Sequence, residues 1–159
     1  MCSSDLDMLG SPEIVKPVFE IFTRRPDVGM IAAQHFEPVR HWINWGNNFE
    51  DAAALGRRMG LRLDPERMLD FPSGSMFWAR ASALKPLLDL KLSFEDFDAE
   101  SGQIDATLAH AIERLYFYAA EAAGLRWVKI AHPPLFGHTP GIVPVNAPER
   151  SEEHTSELQ

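Results

Sequence analysis

The chain has 159 residues, with 15 Lys+Arg against 23 Asp+Glu, a formal net charge of −8 and 45% hydrophobic residues. That size and apolar fraction describe one globular domain or a part of one, and the acidic balance excludes broad nucleic-acid binding, which needs a basic face to displace counterions. A single cysteine, Cys2, excludes an internal disulfide or a thiolate zinc site, no apolar run approaches the roughly 20 residues of a membrane span, and the N-terminus lacks the basic-then-apolar order of a signal peptide.

The first and last segments, 1–6 and 150–159, read together. Arg150 to Gln159 can be encoded by AGA TCG GAA GAG CAC ACG TCT GAA CTC CAG. The reverse complement of its first part, read from a GTG start, gives Met-Cys-Ser-Ser-Asp-Leu, which is Met1 to Leu6. Both ends are therefore expected to derive from a sequencing-library adapter and are set aside from fold reasoning. The natural portion is then 7–149. Without Asp5, Arg150, Glu152, Glu153 and Glu157 it carries 14 basic and 19 acidic residues, a net charge of −5, and no cysteine. Such a segment is expected to be cut from a larger enzyme.

Ser11-Pro12-Glu13 is a helix start: a capping residue, a proline suited to the first position, and an acid at the positive end of the dipole. Ile14, Val15, Val18, Phe19 and Phe22 recur at helical spacing, with Pro17 expected to kink or shorten the helix. Val28 to Ala33 is a buried strand. Gln34 to Asn48 is a loop rich in aromatic and polar residues. Phe49 to Met59 predicts a helix that stops at Gly60. Leu69 to Arg80 predicts a turn followed by a strand, and Ser82 a cap for a helix over Ala83 to Leu90, with Pro86 near its first turn. Ser93 to Gly102 is an acidic loop. Ile104 to Ala123 is the clearest helix, with Ile104, Leu108, Ala111, Ile112, Leu115 and Ala119 as its buried stripe. Leu125 to Ile130 predicts a last strand, and His132 to Pro148 a proline-rich irregular tail. This order of helices and short apolar strands is α/β.

Three places can carry chemistry. Indole faces stack on the C–H faces of sugars and a neighbouring amide bonds their hydroxyls, so Trp42, Trp45 and Asn47 form a candidate saccharide site; equally, both tryptophans can fill the core. Ser73-Gly74-Ser75 offers two hydroxyls and a close backbone approach for a sugar or phosphate, or a simple tight turn. It lacks the lysine of a phosphate-binding loop and the Gly-x-Ser-x-Gly order of a nucleophile elbow. Glu95, Asp96, Glu100 and Asp105 place carboxylates before a helix, as a general base or as dipole caps. His110 lies alone on its helix, and His132 and His138 have no third local ligand.

Three blocks together resemble the rhamnan synthesis protein F family of glycosyltransferases. They are Phe71-Pro72-Ser73-Gly74-Ser75-Met76-Phe77-Trp78-Ala79-Arg80, the stretch Ala83 to Phe97, and Gly102-Gln103-Ile104-Asp105 through Arg114. Pro26 to Ile31 and Trp45-Gly46-Asn47 fit the same pattern. The resemblance implies transfer of a sugar, typically rhamnose, from a nucleotide-sugar donor to a saccharide acceptor in surface polysaccharide or lipopolysaccharide. It implies a GT-A, Rossmann-like α/β domain of which this chain is the acceptor-side half, so that the chain alone is expected to be inactive. It points to Asp105 as the base, with Glu100 or Asp96 as rivals, and to Trp42, Trp45, Asn47, Ser73, Ser75, Glu100 and Gln103 as substrate contacts. No cofactor or metal is expected in this segment, whereas a divalent Mg or Mn ion belongs to the complete enzyme's donor half; Asp96-Phe97-Asp98 lies too late in the chain for that motif. The expected setting is cytoplasmic, at the inner face of the membrane through peripheral association. Two other readings are a non-catalytic carbohydrate-binding module using the tryptophan loop, and a carboxylate-pair glycoside hydrolase, which the blocks favour least.

Overall fold

A computed structural model describes residues 8–35, 37–99, 102, 105–131 and 143–144. Ser11 is extended before α1 (Pro12–Arg24), and Pro12 and Glu13 occupy its first turn. The expected break at Pro17 does not occur. The helix runs through it for 13 residues with Pro17 buried, because Ile14, Val18 and Ile21 bury their side chains in one cluster with the sheet residues Val28, Ile31, Val128 and Ile130. Burying that stripe outweighs the roughly 3 kcal/mol that an interior proline costs.

The strand β1 (Val28–Ala33) is buried at every position. The helix α2 (Phe49–Arg58) ends as its glycine predicts. Gly60 sits at φ +79°, its N–H bonds to the Arg57 carbonyl, and the Leu61 N–H returns to Gly56 at 2.8 Å, the paired bonds of a left-handed helix stop. The turn at Ser73–Ser75 leads into β2 (Phe77–Ala79).

Two helix starts differ from expectation. The helix α3 spans Ala81–Leu88, with Arg80 rather than Ser82 in the cap position and Pro86 as its sixth residue. The reason is that Arg80 is fixed by the strand, its N–H bonding to Gly29 O at 2.9 Å, so the helix begins as soon as the strand ends. The helix α4 spans Leu108–Ala122 and not Ile104 onward. Ala106 has φ +62°, which no helix tolerates, and the Thr107 side chain accepts the His110 N–H, so threonine sets the start. The last strands are β3 (Arg126–Ala131) and β4 (Val143–Pro144). The tail expected to be irregular thus contributes two residues to the sheet.

The strand order is β2-β1-β3-β4. β1 is antiparallel to β2 and parallel to β3, and β4 is parallel to β3. α1 covers one sheet face. α3 and α4 cover the other through Ala83, Phe117 and Ala120 against Met30 and Ala32. α2 packs outside, where Ala52 and Leu55 meet Ala111, Leu115 and Tyr118 of α4. Gly29 marks the tightest contact, since a Cβ there would lie 2.7 Å from the Leu125 Cβ and 2.9 Å from the Ala83 Cβ. The chain is therefore mixed α/β, with helices flanking a mixed sheet. Among the described residues no helix is long and apolar enough to cross a membrane.

Candidate functional site

The carboxyl ends of β1 and β3 point the same way, and β2, running antiparallel, starts at that end with Phe77 opposite Ala32. Ligands of open α/β sheets bind outside the carboxyl ends of parallel strands, where the connecting loops converge. Here that end carries a chain of polar contacts. His35 follows β1, Lys129 lies in β3, and Asp70 and Ser73 precede β2.

His35 is 7% exposed. Its Nε2 is 2.9 Å from Asp70 Oδ1 and its Nδ1 is 3.2 Å from Ser73 Oγ. The Lys129 ammonium donates to the same Asp70 carboxylate at 2.6 Å. At Asp70, burial works to raise the carboxyl, but the His35 hydrogen bond and the Lys129 charge prevail and hold it below its ordinary value. At Lys129 burial is the largest influence and wins over the pairing, so its amine is lowered. The pair is thus held charged by the carboxylate, which has two donors, against the preference of the amine, which has one anionic partner.

The turn after Ser73 links this group to α4. The Gly74 N–H donates to Glu113 Oε1 at 2.7 Å, and Glu113 Oε2 is 3.6 Å from the Arg114 guanidinium. Arg114 is 8% exposed. It donates to Asn44 O at 3.1 Å and to His110 O at 2.8 Å, lies over the Phe71 ring at 5.1 Å, and comes within 3.6 Å of Asp105 Oδ1. A buried guanidinium needs such partners, and Arg114 uses them to tie the loop before α2 to the loop before α4.

Asp105 is the meeting point of those loops. Its Oδ2 accepts the Asn47 N–H at 3.0 Å, and its Oδ1 accepts the side-chain amide of the fully buried Asn48. The Asn48 carbonyl oxygen in turn accepts the Ala106 N–H at 3.1 Å. Burial pushes the Asp105 carboxyl up. The hydrogen bonds from Asn47, Asn48 and Ala106 and the Arg114 charge outweigh it and leave the group below its ordinary value, so it is ionised at neutral pH. Its side chain remains 29% exposed. Each carboxylate oxygen can accept two hydrogen bonds, so the group keeps capacity for a further donor.

The other expected residues are dispersed. Trp42 is 69% exposed, against the ring of His41. Trp45 instead packs edge-on to Phe49 and stacks on Tyr118 beside the core. Asn47 is exposed at the rim beside Asp105, Ser73 is half-buried against His35, and Ser75 is exposed at φ +55°. Glu100 and Gln103 lie outside the described residues, as do His132 and His138. Asp96 takes the Ser93 N–H at 2.6 Å and the Ser93 hydroxyl at 3.1 Å in a local capping box. Both bonds end on Asp96 Oδ2, so this oxygen serves the turn at the start of the acidic loop. Among the described residues no three His, Cys, Asp or Glu side chains converge as a metal set.

Sequence reading missed His35, Asp70, Lys129, Glu113 and Arg114. A signal existed for Lys129, a charge within an apolar strand, because such a residue must find a buried partner.

These features define an α/β protein with a polar cluster at the carboxyl end of its central strands. The family model for rhamnan synthesis protein F matches residues 3–125, and the chain belongs to that family. It is similar to the uncharacterised protein WxcX of Xanthomonas campestris pv. campestris, 43% identical over 122 residues in strain B100 and 42% in a second strain. The matched region covers 76% of this chain and 17% of each relative. No solved structure matches.

Proposed function

We propose that the chain is the acceptor-side part of a GT-A-type glycosyltransferase domain, which moves rhamnose from a nucleotide-sugar donor to a growing surface polysaccharide or lipopolysaccharide at the cytoplasmic face of the membrane. Family membership supports polysaccharide synthesis. The observation that carries the catalytic reading is the Asp105 carboxylate, held ionised by Asn47, Asn48 and Arg114 yet still open to solvent. In this reading an acceptor hydroxyl donates to Asp105. As its oxygen attacks the anomeric carbon, the proton passes to the carboxylate and the nucleoside diphosphate leaves. General-base assistance of this kind contributes about 10²–10⁴-fold. The donor-binding strands belong to the rest of the enzyme, together with any divalent ion on the diphosphate.

The test is direct. The complete enzyme, given a nucleotide-activated rhamnose and a rhamnan oligosaccharide, extends the oligosaccharide by one residue; absence of product with intact donor binding contradicts transfer. A carbohydrate-binding module is the second reading, favoured by the exposed Trp42 indole. Calorimetry with oligosaccharides separates the two, because a module binds without any dependence on nucleotide-sugar.

A further inference from the structure

The Ser73–His35–Asp70 relay has a defined polarity. Asp70 is an ionised carboxylate and can only accept, so His35 Nε2 carries the proton that lies between them at 2.9 Å. In a neutral imidazole the other nitrogen then accepts, and the Ser73 hydroxyl donates to Nδ1 across 3.2 Å. The hydrogen of Ser73 is thereby used up, and what its oxygen offers to a ligand is lone pairs. Two roles fit a serine in that state, a nucleophile or a hydrogen-bond acceptor. A nucleophile needs amide donors for the oxyanion it creates. The two amides that follow Ser73 are already taken, Gly74 N–H by Glu113 at 2.7 Å and Ser75 N–H by the Pro72 carbonyl at 2.9 Å. The acceptor role remains.

We infer that Ser73 Oγ is an acceptor-only subsite for a saccharide hydroxyl, with His35 as its positioning residue, and that it selects a neutral sugar over one bearing a carboxylate or phosphate there. This rests on the saccharide reading above. A sugar hydroxyl can donate to Ser73; a carboxylate or phosphate oxygen meets lone pairs with lone pairs. The neighbouring cation does not reverse this, because Lys129 is neutralised by Asp70 at 2.6 Å. The charged groups around His35 are Asp70, Lys129 with Arg40 beyond it, and Glu113 and Arg114 across the turn.

Two measurements on the complete enzyme test this. Ring ¹⁵N shifts should show His35 protonated at Nε2 and bare at Nδ1 at neutral pH; the opposite tautomer overturns the inference. Binding of a neutral rhamnan oligosaccharide is then compared with that of a uronate-containing oligosaccharide of equal length. The neutral ligand should bind about tenfold more tightly, a difference of one good hydrogen bond. Ser73→Ala should erase the preference and Ser73→Thr should retain it. Equal binding of both ligands, or a preference unchanged in Ser73→Ala, overturns the Ser73 subsite while leaving saccharide binding intact. Failure of wild type to bind either ligand overturns the saccharide reading and the subsite with it. Covalent capture of Ser73 by a fluorophosphonate would assign the nucleophile role and overturn the acceptor one.

Discussion

Gly46 lies where any side chain would strike Asp105: a Cβ built on Gly46 falls well inside van der Waals contact distance of Asp105 Oδ2. Gly46 also has φ +54°, in the left-handed region that costs other residues about 1–2 kcal/mol. The glycine of Trp45-Gly46-Asn47 is therefore what lets the backbone reach the carboxylate and donate the Asn47 N–H. Gly46→Ala should lose about 1–3 kcal/mol in urea unfolding and should lower transfer by the complete enzyme. Unchanged stability would mean that the loop has another way to close.

Asp70 and Lys129 give the fold a pH signature. The Asp70 carboxyl is lowered from 3.8 in the folded state. Its contribution is complete above 3.8 and is lost as pH falls through the lower folded value, because the unfolded chain takes up the proton first. Lys129, lowered from 10.5, acts in the opposite range: between its folded value and 10.5 the unfolded chain holds more protons, so stability rises with pH. Asp70→Asn should cost roughly 3 kcal/mol at neutral pH by leaving Lys129 buried without its counter-charge. It should also show a shallower loss of stability below pH 3.8 than wild type. Equal acid slopes for the two proteins would contradict the pairing.

Arg80 closes the end of α1 onto the sheet. Its side chain donates to Val28 O at 2.9 Å, to Phe22 O, and to Arg25 O at 3.4 Å, and its guanidinium lies over the Phe22 ring at 5.2 Å. Arg80→Ala removes the guanidinium donors from the Phe22, Arg25 and Val28 carbonyls and should cost about 2–3 kcal/mol by thermal or chemical unfolding. Arg80→Lys should recover less than half, since an ammonium cannot fork across three carbonyls. Full recovery by lysine would show that charge alone suffices.

Tyr118 predicts the reverse sign. Its hydroxyl is buried with no hydrogen-bond partner among the described residues, and burial raises its pKa. Tyr118→Phe removes that cost while keeping the stack on Trp45 and the Arg67 guanidinium 4.9 Å from the ring. Stability should be unchanged or higher by about 1 kcal/mol. A loss larger than that would reveal a partner for the hydroxyl.

The elements that depend on local pattern were legible in the sequence. Val28 to Ala33 reads as a buried strand and is one, and Gly60 stops α2. Where apolar spacing competed with caps, spacing misled. Ile104 and Leu108 suggest one stripe, but Ala106 and Thr107 break it. In the site, Asp105 could be singled out because it stands beside a helix start. Its dependence on Asn48, 57 residues away, could not. His35, Asp70 and Lys129 were invisible as a group because the sheet alone brings together residues separated by 35 and 59 positions.

The proposed role of Asp105 as the base for sugar transfer is tested by its amide variant. Transfer and donor binding are followed in the complete enzyme carrying Asp105→Asn, with folding checked by unfolding midpoint. Transfer should fall by about 10²–10⁴-fold with donor affinity within about twofold of wild type. Near-normal transfer by a folded Asp105→Asn enzyme would contradict it and leave Asp105 as the pin between two loops.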